Sequence, residues 1–168
     1  MEVRRADVRA DNVAGNVEVR GSGDEIEVRN VKGEASIDGE YSGPIRAGNV
    51  AGKIRFVSRR TNLTAERLDG ELELDRGDLN LTRVAGNVTL VAEDKDIHMD
   101  EVAGEVRIEN RTGMIRLRLA QPPREPIEIT SRNGDIELIL PANSSFTLNA
   151  RAPEGNLSSD FTGPGLTL

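Results

Sequence analysis

The chain of 168 residues contains neither cysteine nor tryptophan. Disulfides, thiolate metal sites and cysteine nucleophiles are therefore excluded, while the redox compartment stays open, because proteins of either compartment can lack cysteine. The aromatic residues are Tyr41, Phe56, Phe146 and Phe161 alone, too few to build stacking platforms for bases or sugar rings. His98 is the only histidine, so no multi-histidine metal site can be assembled. No apolar run is long enough for a membrane-spanning helix, and the N-terminus, MEVRRADVRADN, lacks the apolar core of an export signal. For a complete protein that absence points to the cytoplasm. The first residues already belong to a repeat, however, so the chain also reads as a domain excised from a longer protein.

Basic residues are in deficit: 22 Lys plus Arg stand against 29 Asp plus Glu, a formal net charge of -7. That balance opposes nucleic-acid phosphates and anionic lipid surfaces, so neither nucleic acid nor direct membrane insertion is expected.

What the chain has in abundance is a repeat. Apolar pairs of the form apolar-x-apolar begin at Val8, Val17, Ile26, Ala35, Ile45, Ile54, Leu63, Leu72, Leu79, Val88, Ile97, Val106 and Ile115; the step is nine except for one ten and one seven. Alternation at period two is the mark of a strand with one face buried and one in water. Two lead-ins alternate. One is Val-x-Gly, as in VAGNVEV at Val13, VAGKIRF at Val50 and LDGELEL at Leu68; the other is a polar turn, as in GSGDEIEV at Gly21 and RNGDIEL at Arg132. Gly, Asn and Asp tolerate the left-handed backbone of tight turns.

Two nine-residue units make one coil of about eighteen residues with two short strands on opposite sides, and stacked coils give two parallel sheets. The spacing predicts a single all-β domain over residues 1–168, a parallel β-solenoid or β-helix of about nine coils with no helix. Regular repeats cover 1–119; looser ones cover 120–168, after the proline-rich AQPPREP, with pairs at Ile127, Ile136, Phe146, Leu157 and Leu166. An antiparallel β-sandwich is the alternative.

Laid out as V-x-G-x-V-x-V alternating with x-x-G-D-I-x-L, and ending in SRNGDIELILPANSSFTLNARAPEGNLSSDF from Ser131 to Phe161, the chain resembles a bacterial β-strand-repeat family of unknown function labelled as adhesins. It is also similar to the GIN head domains of auto-transporter adhesins. The resemblance implies a β-solenoid-like fold, no catalytic residues and attachment to the cell envelope or an extracellular setting.

Several residues invite chemistry, and each has a plainer account. Arg76-Gly77-Asp78 spells an integrin-binding tripeptide, but the same turn design recurs at Arg111-Thr112-Gly113 and Arg132-Asn133-Gly134-Asp135. The turn aspartates Asp24, Asp78, Asp96 and Asp135 suit turn capping better than a calcium ladder, since each turn supplies at most two carboxylates. His98, between Ile97 and Met99, belongs on the solvent face. Glu71 with Glu73, and Glu25 with Glu27, have the spacing of general acid–base pairs, yet alternate charged residues on a strand are ordinarily solvated. Asn-x-Ser/Thr occurs at Asn62, Asn80, Asn87, Asn110, Asn143 and Asn156, as an Asn- and Thr-rich turn repeat produces by composition. Catalytic, cofactor-binding and metal-binding residues are thus all expected to be none.

The reading that follows is a non-catalytic, adhesin-like interaction or scaffold domain. Its solvent-facing Arg46, Arg55, Arg107, Arg116 and His98 would present a lattice to a protein or cell-wall polymer. A self-assembling β-helix that pairs through its open coil ends into a homo-oligomer is the alternative, and a polysaccharide-acting enzyme ranks third.

Overall fold

The structure, a computed structural model, describes residues 2–4, 6–151, 155–156 and 158–160. Among them there are fourteen strands and no helix. The strands stack into two faces. Face A carries β2 (Val8–Val13), β4 (Ile26–Val31), the first half of β6 (Ile45–Val57), the second half of β7 (Thr61–Leu74), β8 (Asp78–Val84), β10 (Asp96–Val102), β12 (Ile115–Arg118) and β14 (Ile136–Ile139). Face B carries β1 (Glu2–Arg4), β3 (Val17–Gly23), β5 (Ala35–Tyr41), the other halves of β6 and β7, β9 (Val88–Asp94), β11 (Val106–Thr112) and β13 (Ile127–Asn133).

The apolar pairs found in the sequence face inward and stack in register: Ile26 lies between Val8 and Ile45, and Leu90 between Leu63 and Ile108. They form one continuous core, with Ile26, Ile37, Ile54, Leu63, Leu79, Ile97 and Ile108 fully buried. Burying each such side chain contributes about 1.5–3 kcal/mol, which is what a chain this rich in charge needs to hold its strands together.

The corner between face A and face B is closed by the Val-x-Gly units. Val13, Val31, Val50, Leu68, Val84 and Val102 stack rung upon rung in consecutive registers. The residue before each corner anchor is left-handed: Asn12, Asn30, Asn49, Arg67, Arg83 and Glu101 all have φ between 51° and 57°. Asparagine adopts this region readily, while Arg and Glu do so at a cost of roughly 1 kcal/mol. The first three rungs add an amide chain, in which Asn49 donates to Asn30 Oδ1 (3.0 Å) and Asn30 donates to Asp11 Oδ1 (2.8 Å).

Two features differ from the sequence expectation. Among the described residues the coils number seven, against about nine expected: β2–β3, β4–β5, β6, β7, β8–β9, β10–β11 and β12–β13. At the C-terminal end only β14 starts an eighth. The proline-rich segment only lengthens one turn, since β13 and β14 beyond it still pair in parallel register, but Phe146 is half-buried and belongs to no strand, and Leu157 and Leu166 lie outside the described residues. The second difference is one of direction. Coils one to three and five to seven are parallel to one another, but the fourth coil, β7, runs antiparallel to the strands on both sides.

Candidate functional site

In a regular coil the chain crosses from face A to face B at one corner and returns to the next rung at the other. After Val57 it does not return. It doubles back over residues 58–60, with Ser58 N donating to Thr61 O (2.8 Å) and Thr61 N to Ser58 Oγ (3.1 Å). It then runs face B to face A as the fourth coil and doubles back again over residues 75–77. There Asp75 N donates to Asp78 O (3.0 Å), while Asp75 Oδ1 accepts from Gly77 N (2.8 Å) and Asp78 N (2.7 Å). The two hairpin tips leave the second corner of the fourth coil without a covalent link. This seam breaks the repeat's own rule, and such breaks are where function is to be sought.

The seam is sewn shut by the turn of the next coil. Lys95 Nζ donates to the carbonyls of Asp75 (2.5 Å) and Arg76 (2.6 Å), Asp96 N donates to Gly77 O (2.9 Å), and Glu93 N donates to Arg60 O (3.1 Å). Asn110 Nδ2 in turn donates to the carbonyls of Lys95 (2.8 Å) and Thr112 (2.9 Å). Thr61, Lys95 and Asn110 are the buried polar residues among those described, and all three stand at this seam. Outside it, Arg60 engages Glu93 and Asp94, and Arg111 reaches Asp94 at 3.3 Å.

Electrostatics follow from this geometry. Desolvation pushes the Lys95 ammonium below the ordinary lysine range, against the opposing pull of Asp75. The backbone amide of Asp78 holds the Asp75 carboxyl below the usual carboxylate range, helped by Gly77 N and Lys95. The Glu93 hydrogen bond and the charge of Asp94 raise the Arg60 guanidinium. Lys95 is therefore a strut with two of its three donors placed on backbone oxygens of the second hairpin, and the seam clamps the two hairpins together.

Lys95→Met keeps the apolar stem and removes the donors, so it is expected to cost about 1–3 kcal/mol, as for buried carbonyls left without partners. The pH signature separates this from simple packing loss. Because the folded lysine releases its proton more readily than the unfolded one, wild-type stability rises with pH across the window that ends at the ordinary value of 10.5. Urea midpoints measured from neutral to alkaline pH should show a rise that Lys95→Met abolishes; an equal rise in both proteins would refute the strut.

The residues singled out in the sequence fall as follows. Arg76-Gly77-Asp78 is exposed at a hairpin tip, not at a solenoid turn like that of Arg111 or Arg132, because it forms the second reversal. Asp96 caps the next coil by accepting from Met114 N (2.8 Å), and Asp24 accepts from Ser42 Oγ. Asp7, Asn16 and Asn87, which sequence reasoning passed over, do the same for Glu25 N, Glu34 N and Glu105 N at 3.1, 2.9 and 2.9 Å. An Asx residue eighteen positions before a turn amide was the signal. Among the described residues no cluster of three His, Cys, Asp or Glu is placed for a metal ion.

Glu73 is held by Arg46 at 3.1 Å and Glu27 by Arg29 at 2.9 Å; Glu25 also contacts Arg46, and Glu71 lies 3.7 Å from Arg29. The expected basic lattice is divided: Arg46, His98 and Arg116 lie on face A, Arg55 and Arg107 on face B. Asn110 is buried with its amide engaged, so its Asn-x-Thr motif is structural.

The Toastrack DUF4097 family model matches residues 2–164, nearly the whole chain. The chain belongs to this Toastrack family. No curated protein and no solved structure matches it significantly. The Toastrack family is one of unknown function, and its fold here is an all-β solenoid of about seven turns, compatible with a structural or interaction role.

Proposed function

We propose that this Toastrack chain is a non-catalytic interaction or scaffold module of the bacterial cell envelope, one that engages a protein or cell-wall polymer through a flat sheet face rather than in a cleft. The observation that carries this reading is the unequal wiring of the two faces. On face A the exposed column alternates in sign on either side of the neutral Asn80 and His98, and its charges neutralise one another: Arg9 with Glu27 at 3.5 Å, Arg46 with Glu73 at 3.1 Å, Arg116 with Glu137 at 2.9 Å. Such ladders support the sheet and leave little for a partner. The centre of face B is different. Arg55, Val57, Asn62, Thr64, Thr89 and Val91 face outward there, Val91 is 45% exposed, and among the described residues no ion pair joins any of them. The envelope setting rests on the resemblance to envelope-attached repeat families.

Self-assembly through coil ends is the second reading, favoured by Ile136, which is 46% exposed on the edge strand β14. A polysaccharide-cleaving role fits less well, since the paired glutamates are each held by arginine on face A. A photocrosslinking side chain placed in cells at Thr64 on face B, and separately at Asn80 on face A, tests the leading reading. A discrete adduct from Thr64 that is suppressed by Arg55→Glu with Val91→Asp is expected; adducts from Asn80 alone, or none from either position, would sink it.

A further inference from the structure

Building on the lateral-face reading, we propose that the partner of face B is a second copy of this chain, related by a two-fold axis parallel to the solenoid. Register makes the operation definable. On face B the buried residues Val19, Ile37, Phe56, Leu63, Leu90 and Ile108 stack in one ladder, so the outward residues on either side of them form two straight columns. A two-fold axis running above that ladder sets each coil against its own copy with strand direction reversed. Each residue of one column then meets the other column's residue from the same strand.

The consequences can be followed rung by rung. In the first coil Glu18 of one copy meets Arg20 of the other, and in the sixth coil Arg107 meets Glu109; within one copy Arg20 already lies 2.5 Å from Glu18 and Arg107 3.0 Å from Glu128, so these rungs extend existing pairs across the axis, each twice by symmetry. In the second coil Ser36 meets Asp38, and in the fourth Thr64 meets Asn62, which are donor–acceptor couples. In the fifth coil Thr89 meets Val91. In the third Arg55 lies over Val57, where its stem covers the valine while its guanidinium, unpaired within one copy, reaches toward Asp38 of the other on the neighbouring rung. Within these two columns no rung opposes two charges of the same sign; further out, at the margin of the face, Glu34 meets Glu40 in the second coil.

Applied to face A, the same operation fails. Glu73 would meet Glu71 in the fourth coil and Arg116 would meet Arg118 in the seventh, each twice, because those like-charged residues flank the buried Leu72 and Leu117 on single strands. Self-complementarity is thus a property of face B and not of solenoid faces in general. The size is adequate as well. Seven rungs spaced roughly 4.8 Å apart, with strands roughly 20 Å long, make a face of roughly 700 Å², near the roughly 800 Å² per partner of a standard interface.

Sedimentation velocity and light scattering of the intact chain test the dimer. At about 50 μM the wild type is expected to show the mass of a dimer that dissociates on dilution. Glu109→Arg sets arginine against Arg107 of the other copy, and Arg107→Glu sets glutamate against Glu109; each alone should raise the dissociation constant about tenfold or more. An equimolar mixture of the two variants restores opposite charges on that rung and should recover the dimer, which a folding defect in either variant could not do. Asn80→Glu on face A should leave the mass unchanged. A wild type that stays monomeric throughout, a dimer indifferent to both sixth-coil variants, or a mixture that fails to recover would overturn the proposal. A monomer whose Thr64 crosslinker still captures one other protein would discard the second copy yet keep the lateral-face reading; loss of both results would discard both.

Discussion

Gly39→Ala is expected to cost more than about 3 kcal/mol and to leave much of the chain unfolded, whereas Gly77→Ala, a chemically identical change, should stay within about 0.5 kcal/mol of wild type. Gly39 sits at the second corner with φ +151°, and a Cβ there would lie 1.8 Å from the carbonyl oxygen of Gly21, one rung below in register. That oxygen is backbone, so relief requires the rungs to separate, and separation breaks the ladder on both sides. Gly77 stands at a hairpin tip with nothing within 4 Å of its Cβ position. Urea unfolding followed by circular dichroism measures both. A Gly39→Ala protein as stable as Gly77→Ala would mean that the coils are not packed at that corner as described.

The same contrast explains how much of the fold could be read from residues alone. The inward pairs, the Val-x-Gly corner and the eighteen-residue coil are written in period-two alternation, and every pair from Val8 to Ile115 is found on a strand. The reversal of the fourth coil is not written that way. Its apolar residues Leu63, Ala65, Leu68, Leu72 and Leu74 have offsets 0, 2, 5, 9 and 11, the same as Ile26, Val28, Val31, Ala35 and Ile37 in a forward coil. A pattern of buried positions fixes which residues turn inward, not the direction in which the strand runs. The asymmetry of that spacing appears only in the pairing: three residues before the corner must meet four after it, and β6 and β7 shift register on both sides of Val50. One mark was legible, the short step of seven from Leu72 to Leu79, which is the second hairpin.

The seam was less legible than the coil. Lys95 stands in a polar turn, DKD, where a lysine is ordinarily solvated, and its burial depends on the hairpin carbonyls that only the reversed coil brings to it. Thr61 and Asn110 occupy the inward position beyond each face B pair, in register with Ala92 between them. A large polar residue where the first, second and fifth rungs place Gly21, Gly39 and Ala92 and the seventh places Ser131 was the available signal. For the faces, the alternation predicted which residues point outward. It did not separate Arg46 from Arg55, because that requires knowing that one meets Glu73 across the sheet and the other meets Thr64.

Leu68→Ala follows from the reversed coil and is expected to cost about 2–5 kcal/mol, as for other fully buried leucines. Leu68 is completely buried at the corner of the fourth coil, with Val50 and Val84 as its register partners on the two sides. In a stacked repeat each rung is stabilised chiefly by its two neighbours. Here both neighbours run in the opposite direction, so a forward coil cannot close up over the cavity by sliding one rung along. Truncation therefore weakens both interfaces of one rung and uncouples coils one to three from coils five to seven. Beyond the loss of stability, the urea transition should broaden and its apparent slope fall, because the two halves then unfold separately. Val13→Ala provides the comparison: it removes a half-buried anchor of the same corner in the first coil, and should cost about 1 kcal/mol with the slope unchanged. If the two variants lose equal stability with equal slopes, the fourth coil is not the junction that couples the halves.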